Sequence, residues 1–432
     1  MAKLTIKDIL AFEVLDSRGN PTVAAEIILS DNSSSLAYVP SGASTGKHEA
    51  LELRDQDESR FQGKGVLKAV NFINNELKEL VIGLDPMDQK AIDDNLCKAD
   101  GTDSKKVFGA NSILAISAAN LRASADYKSV PLYQHIHSLY KEVSKLNRKP
   151  TLPVPMLNIL NGGAHADNSI DFQEFMIQPL GFSTFKSALR CGIEIFHELK
   201  NLLKDKNFNT SVGDEGGFAP ELKTAEEAIE LILKAIKTSG YKAGKDVFLC
   251  LDTASSEFFQ NGKYFFQGED KFLDTEEMIS YLKTLTSKYP INSIEDGLHE
   301  EDWEGWKSLT KSLGSEVQLI GDDLFTTNSK RIRRGIEEKA ANSVLVKMNQ
   351  IGTISETMEA VSMSQENGYK VVISHRSGET EDTSISDLAV GLAAGQIKTG
   401  APSRTDRVSK YNRLLILEKK FDIPFTKENE VI

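Results

Sequence analysis

Short apolar runs recur through the second half of the chain, and five of them end on a residue able to bind a metal ion or move a proton. Val247–Leu251 runs into Asp252, Ile291–Ile294 into Glu295, and Val317–Ile320 into Gly321-Asp322. Ser343–Val346 delivers Lys347, and Val371–Ile373 delivers Ser374-His375-Arg376. β-Rich runs of this length, separated by helix-length segments, predict βα units with parallel strands. The intervening segments carry helical stripes. Met278, Tyr281, Leu282 and Leu285 share a face within Thr275–Tyr289, and Ile354, Met358 and Val361 repeat the spacing. Those positions are core.

The first part of the chain is patterned differently. Leu4–Val14 and Thr22–Leu29 predict strands, the second alternating through Val23, Ala25, Ile27 and Leu29. Asp31-Asn32 makes a turn and Ser35–Val39 predicts a third strand. Helices are expected over Lys64–Leu80, Pro86–Cys97 and the alanine-rich Ala110–Tyr127. Strands followed by helices predict an α+β domain. The polar stretch Tyr140–Pro150 is the candidate linker, which divides the chain into an N-terminal domain over 1–140 and a barrel domain over 141–432.

In a closed barrel of βα units, strand C-terminal ends and the loops after them form the active site. One Asp after one strand commonly caps a helix or starts a turn. Asp252, Glu295, Asp322 and Lys347, at successive strand ends around one mouth, are a poor match to independent caps. They point to a carboxylate metal cage beside a base.

Length and charge narrow the field. The chain has 432 residues, enough for two domains with ample core. Its 51 basic and 63 acidic residues give a net charge of −12, which disfavours nonspecific nucleic-acid or anionic-membrane binding. An anionic substrate still fits if metal ions supply local positive charge. No stretch approaches the roughly 20 apolar residues of a membrane span. Cys97, Cys191 and Cys250 are scattered and odd in number, so a reducing cytosol is expected rather than a disulfide framework.

Several polar loops add candidate chemistry. Ser41-Gly-Ala-Ser-Thr-Gly-Lys47 looks like a phosphate loop but has one residue too few between its glycines, and His48 stands where a hydroxyl is needed. A mobile lid suits it better. Asn161-Gly-Gly-Ala-His165 places a histidine past a glycine turn, with Gln173 and Glu174 following. Gly213-Asp-Glu-Gly-Gly217 presents Glu215 on a loop that suits neither core nor helix. Ser374-His-Arg-Ser-Gly-Glu-Thr380 offers Arg376 and Ser377 to an anion. Lys398 ends another short apolar run and can hold a carboxylate.

Taken in order, LDSRGNPT at 15–22, SGASTGKHEA at 41–50, NGGAHADN at 161–168 and GDEGGFAP at 213–220 resemble the enolases. IEDGL at 294–298, GDDLF at 321–325, KMNQIGT at 347–353, SHRSGETED at 374–382 and KTGAPSR at 398–404 extend that resemblance essentially end to end. Enolases are the glycolytic 2-phosphoglycerate dehydratases. The resemblance implies an α/β fold, a TIM-like β2α2(βα)6 barrel behind the α+β domain. Asp252, Glu295 and Asp322 would hold the tighter Mg²⁺. A second Mg²⁺, bound with substrate, would take Ser41 as the lid closes. Lys347 would be the base and Glu215 the general acid. Gln173 and Glu174 would line the site, with His165 and His375 near the substrate. Arg376 and Ser377 would bind phosphate, and Lys398 the carboxylate. The implied partners are 2-phosphoglycerate, phosphoenolpyruvate and a second copy in a homodimer. Cytoplasmic residence follows from the same likeness, with secretion or surface display as further family traits.

The chemistry fits those residue types. The C2 proton of a carboxylate-bearing substrate is very weakly acidic, and divalent ions stabilise the charge built up when it leaves. Carboxylate oxygens are what hard Mg²⁺ prefers. Neighbouring cations lower a lysine's pKa toward that of a useful base. A Schiff-base aldolase using Lys347 or Lys398 is the competing enzyme reading, but a Schiff base needs no carboxylate trio. A binding protein on the same scaffold is the other. His299, Thr405-Asp406 and Thr253 depart from the expected pattern beside the site without removing a proposed ligand.

Overall fold

The computed structural model describes residues 3–42, 46–163, 166 and 168–431. The chain opens with an antiparallel sheet of β1 (Ile6–Leu15), β2 (Pro21–Leu29) and β3 (Ser34–Tyr38) in that order. Alternation on β2 buries Val23, Ala25, Ile27 and Leu29 against the helix Ala110–Tyr127, whose small residues let it lie close on the sheet. The helix expected over Lys64–Leu80 is not continuous. It runs as Leu67–Phe72 and Lys78–Val81 around a π-helical turn at Ile73–Leu77.

The second domain is a closed eight-stranded barrel. Its strands are β4 (Val154–Asn161), β5 (Glu174–Gln178), β6 (Phe248–Asp252) and, after a small surface sheet, β10 to β14. The surface sheet is β7 (Phe259–Gln260), β8 (Lys263–Phe266) and β9 (Lys271–Leu273). The remaining barrel strands are β10 (Ile291–Glu295), β11 (Gln318–Gly321), β12 (Ser343–Val346), β13 (Lys370–Ser374) and β14 (Gly395–Lys398). Two strands, two helices (Phe185–Asp205 and Ala225–Thr238) and then βα repeats make the β2α2(βα)6 order that the sequence implied. One strand breaks the parallel pattern: β5 runs antiparallel to both β4 and β6. Among the described residues the connection from β4 to β5 contains no crossover helix, and parallel neighbours need one.

The two domains share buried polar contacts. Asp93, on the N-terminal helix Gln89–Asp100, accepts hydrogen bonds from the backbone N–H of Ser355 at 2.9 Å and from its hydroxyl at 2.7 Å. It thereby caps the barrel helix Ile354–Glu366, which follows the strand bearing Lys347. Ser117 Oγ accepts from Ile354 N at 3.0 Å, so two N-terminal helices serve one barrel helix end. Gly352, at φ +102°, makes the left-handed turn into that helix where a side chain would strike Lys105.

Burial pushes the Asp93 carboxyl up to about 6, against the pull of its hydroxyl and amide donors. A carboxyl whose folded pKa is raised contributes stability below its unfolded value of 3.8 and loses it as pH rises through about 6. Wild type should therefore lose about 2–3 kcal/mol relative to Asp93→Asn between pH 4 and pH 7, using 1.36 kcal/mol per unit. Thermal or urea melts of both proteins across that range check it. A difference that is flat with pH would show that Asp93 is ionised in the fold at no cost.

Candidate active site

Strand register builds the site. Glu174 on β5 pairs with Asp252 on β6, and Asp252 pairs with Glu295 on β10. Neighbouring strands lie about 4.8 Å apart, so these three carboxylates stand side by side at one level of the barrel interior. Two residues down β5 and β6 the period of two brings up Met176 and Cys250. With Met156, Ile320, Leu345 and Val372 from four other strands they form one buried apolar cluster. That layer closes the barrel from below and leaves the carboxylates facing its mouth.

Three buried carboxylates in one layer need positive charge, and Lys398 at the end of β14 supplies it. Its ammonium lies 3.0 Å from Asp252 Oδ2, 2.9 Å from both Glu295 oxygens and 3.1 Å from Glu174 Oε1. Burial and neighbouring carboxylates push Glu174 and Glu295 well above the ordinary range, while Lys398 pulls each back down. Burial works against the Lys398 charge too, but the carboxylates around it hold its pKa well above normal. The cluster thus accepts a single positive centre, and its all-oxygen donor set suits a hard divalent ion.

Asp322 comes two residues after Ile320, the register partner of Glu295, just past the end of β11. Its Oδ2 takes a 2.5 Å ion pair from Lys347, and its Oδ1 accepts from Gln350 Nε2 at 2.8 Å. Burial alone would raise Asp322, but Lys347 outweighs it and the carboxyl titrates below its ordinary value. The same pairing overcomes the burial of Lys347 and raises its pKa, whereas Arg376 and Lys398 push it down. Among the described residues, the groups of metal-capable side chains within 4.8 Å of one another are Glu174–Glu215–His375 and Asp296–Asp322–Asp323. Asp296 accepts the backbone N–H groups of Asp322 at 3.0 Å and Asp323 at 2.8 Å, which sets the direction of that loop.

The anion side centres on Arg376. Its guanidinium forks onto Glu49 at 2.8 and 3.2 Å and touches Asn349 Oδ1 at 3.2 Å. Glu49 lies just behind the expected lid and also accepts from Gly46 N at 3.0 Å and Gln350 Nε2 at 3.3 Å. Gln350 therefore joins the lid's rear to Asp322. Ser41 is buried and faces away from the carboxylate layer: its hydroxyl donates to Asp16 at 2.7 Å and accepts from Arg18 at 3.1 Å. Its backbone pairs with Gly378, where any Cβ would strike Ser41, Asp16 and Arg18.

Glu215 arrives from the loop after the helix Phe185–Asp205. Gly216 at φ +86° turns the chain there, and a side chain would meet Ser403 O. The Glu215 carboxylate takes a 3.0 Å hydrogen bond from Asn158 and lies 3.4 Å from His375 Nε2. Burial drives His375 down to about 3, further than Glu215 can lift it. Gln173, Glu174, Glu215, Asp252, Lys347, His375, Arg376, Ser377 and Lys398 line one small cavity of about 20 Å³. Glu295 and Asp322 contact it through Lys398 and Lys347, and Ser41 stands behind the lid base. His165, with residues 43–45 of the lid, lies outside the described residues.

Glu49, Asn158, Gln350 and Arg407 escaped the sequence reading, although three of them sit in or beside its motifs. The three departures are structural. Thr253 Oγ1 donates to Asp296 O, tying β6 to β10, Asp406 pairs with Arg407 at 2.9 Å, and His299 packs on Phe259.

Lys398→Met tests the charge balance without reference to turnover. Removing one partner from a buried ionic cluster costs about 3–5 kcal/mol. In chelator at pH 7 the variant should melt well below wild type. With the ammonium gone the carboxyls resist ionisation more strongly, so the deficit should shrink toward pH 5 and grow as pH rises. Millimolar Mg²⁺ should restore part of the loss by mass action. Melting indistinguishable from wild type in chelator would show that the cluster does not depend on Lys398.

Among the described residues no helix is long and apolar enough to cross a membrane. The family model described as enolase, N-terminal domain, matches residues 6–136, and that described as enolase, C-terminal TIM barrel domain, matches 149–424. Fold, strand order and both matched regions agree: the chain belongs to the enolase family and is an enzyme of the dehydrating, hydro-lyase kind.

Proposed function

We propose that the protein catalyses the reversible dehydration of 2-phospho-D-glycerate to phosphoenolpyruvate, with Mg²⁺ as cofactor and two ions per active site. The observation that carries this reading is one cavity walled by a lysine, Lys347, and a carboxylic acid, Glu215, beside Arg376, Ser377 and Lys398. The first two residues suit proton removal and proton delivery. The other three suit a substrate anionic at both ends.

Lys347, once neutral, takes the C2 proton, and the electron pair of that C–H bond moves into the substrate carboxylate. Glu215 gives its proton to the C3 hydroxyl, the C3–O bond breaks, water leaves, and the pair returns to form the C2=C3 double bond. Arg376 and Ser377 hold the phosphate, which requires Glu49 to release the guanidinium it occupies. Lys398 holds the substrate carboxylate. Gln173, Glu174 and His375 shape the pocket and exclude water, and His165 is assigned to the substrate by the family likeness alone. Asp252, Glu295 and Asp322 are the ligands for the tighter ion, and Ser41 for the second. Bound there, the ions would offset charge developing on the substrate carboxylate and draw on the Asp322 charge that otherwise keeps Lys347 protonated. A glycolytic role, a cytoplasmic location, a homodimer and domains divided at 140/141 complete the proposal, and these rest on the family likeness.

Growth of phosphoenolpyruvate absorbance from 2-phosphoglycerate, abolished by chelator and restored by Mg²⁺, tests the reaction. The roles separate in deuterated water. Lys347→Ala should lose both product formation and exchange of the C2 hydrogen. Glu215→Gln should lose product formation by about 10²–10⁴-fold yet retain C2 exchange detectable by NMR, because its base is intact. Loss of exchange in Glu215→Gln equal to that in Lys347→Ala would exclude this division of labour.

A further inference from the structure

Arg407 is fully buried on the helix Thr405–Lys420 and reaches the site from behind. Its Nη1 donates to Arg376 O at 2.5 Å, and its Nη2 donates to Ser377 O at 2.5 Å and Asp214 O at 3.1 Å. It therefore spans the anion loop and the Glu215 loop together. Nη1 also lies 2.5 Å from His375 Nδ1. A guanidinium has only donors and keeps its proton at any working pH, so Nδ1 must be the acceptor in this contact.

That settles the imidazole's hydrogen. Burial keeps His375 neutral, with a pKa near 3, and a neutral imidazole carries one N–H. With Nδ1 accepting from Arg407, the hydrogen is on Nε2. Nε2 faces Glu215 Oε2 at 3.4 Å, and the same oxygen accepts from Asn158 Nδ2 at 3.0 Å. The Nε2–H side of the ring is thus the side that faces the Glu215 carboxylate, whose Oε2 Asn158 already holds.

We infer that Arg407 is a positioning residue that fixes His375 as the Nε2–H tautomer. The hydrogen-bearing Nε2 is then the atom His375 presents to Glu215. The tautomer stands on geometry alone. Its bearing on turnover rests on the acid role proposed above for Glu215.

Histidine side-chain ¹⁵N NMR on the full-length protein near pH 7 reads the tautomer directly, with His375→Gln identifying the signals. The expected result is an unprotonated Nδ1 and a protonated Nε2. An Nδ1–H tautomer, or an imidazolium, overturns the inference whatever the activity. Arg407→Lys tests the link to function. A single ammonium cannot reproduce the fork, so the His375 signals should move toward a tautomer mixture and kcat should fall. The fall should be smaller than the roughly 10²–10⁴-fold of losing the acid, with KM changed only a few-fold. Unchanged His375 signals in folded Arg407→Lys would remove Arg407 from the positioning role. Absence of phosphoglycerate turnover in wild type would defeat the proposed function but leave the tautomer result to stand or fall by itself.

Discussion

The site depends on the Lys398 ammonium among Glu174, Asp252 and Glu295. Three ionised carboxylates in one buried layer would repel one another by an amount on the order of a domain's net stability. The barrel register leaves no freedom to separate them, because adjacent strands hold them in line. Nor can the layer below help: Met156, Met176, Cys250, Ile320, Leu345 and Val372 offer neither charge nor strong donors. One lysine at the end of β14, across the barrel, is what makes that acid layer tolerable. The same fact prepares the layer for a cation of higher charge, since its oxygens already point toward one positive centre.

A second charged pair adjoins that layer. Asp322, just past the end of β11, meets Lys347. Gln350 ties this pair to its surroundings. Its amide serves Asp322 and Glu49, its side-chain oxygen accepts from Thr327, and its carbonyl accepts from Ala50 N. Thr327 Oγ1 in turn accepts the backbone N–H of Lys347. Glu49, Arg376, Asp322 and Lys347 therefore share one connected set of hydrogen bonds. Displacement of any member leaves a neighbour's polar group to be satisfied anew.

How much of this was legible follows from where each signal lies. Strand ends such as Ile291–Glu295 and Ser343–Val346 could be read because a short apolar run stops abruptly at a charge. The helix Ala110–Tyr127 matched at both bounds because a glycine precedes it and its composition is uniformly helical. The π-turn at Ile73–Leu77 could not be read, since the apolar spacing there remains compatible with an ordinary helix. The reversal of β5 is a matter of connection, not of residue pattern. Asp252, Glu295 and Asp322 looked equivalent in sequence, each after its strand. That Lys398 pairs with the first two and Lys347 with the third is set by how the barrel closes, which no local pattern carries. Glu49 and Arg376 stand 327 positions apart, and Arg407 and His375 meet only because the last helix packs behind the site.

Glu49 gives that long-range pairing its consequence. Arg376 is buried and its charge is already answered by a forked carboxylate, which raises its pKa despite burial. On the proposed reading, a phosphate entering the site competes with Glu49 for the same fork. It carries more charge than a carboxylate, but it must also compensate whatever Glu49 loses. Glu49 keeps two other donors, Gly46 N and Gln350 Nε2, and the first belongs to the segment bordering the lid. Gly46 itself packs so tightly on Asp323 and Thr326 that a methyl group would not fit. The carboxylate therefore cannot leave Arg376 without either breaking its bond to that segment or taking the segment with it. On that same reading, phosphate binding at Arg376 and the hold of Glu49 on Gly46 are linked. Binding energy at the phosphate, remote from the reacting carbons, is in this way available to act on the Gly46 segment.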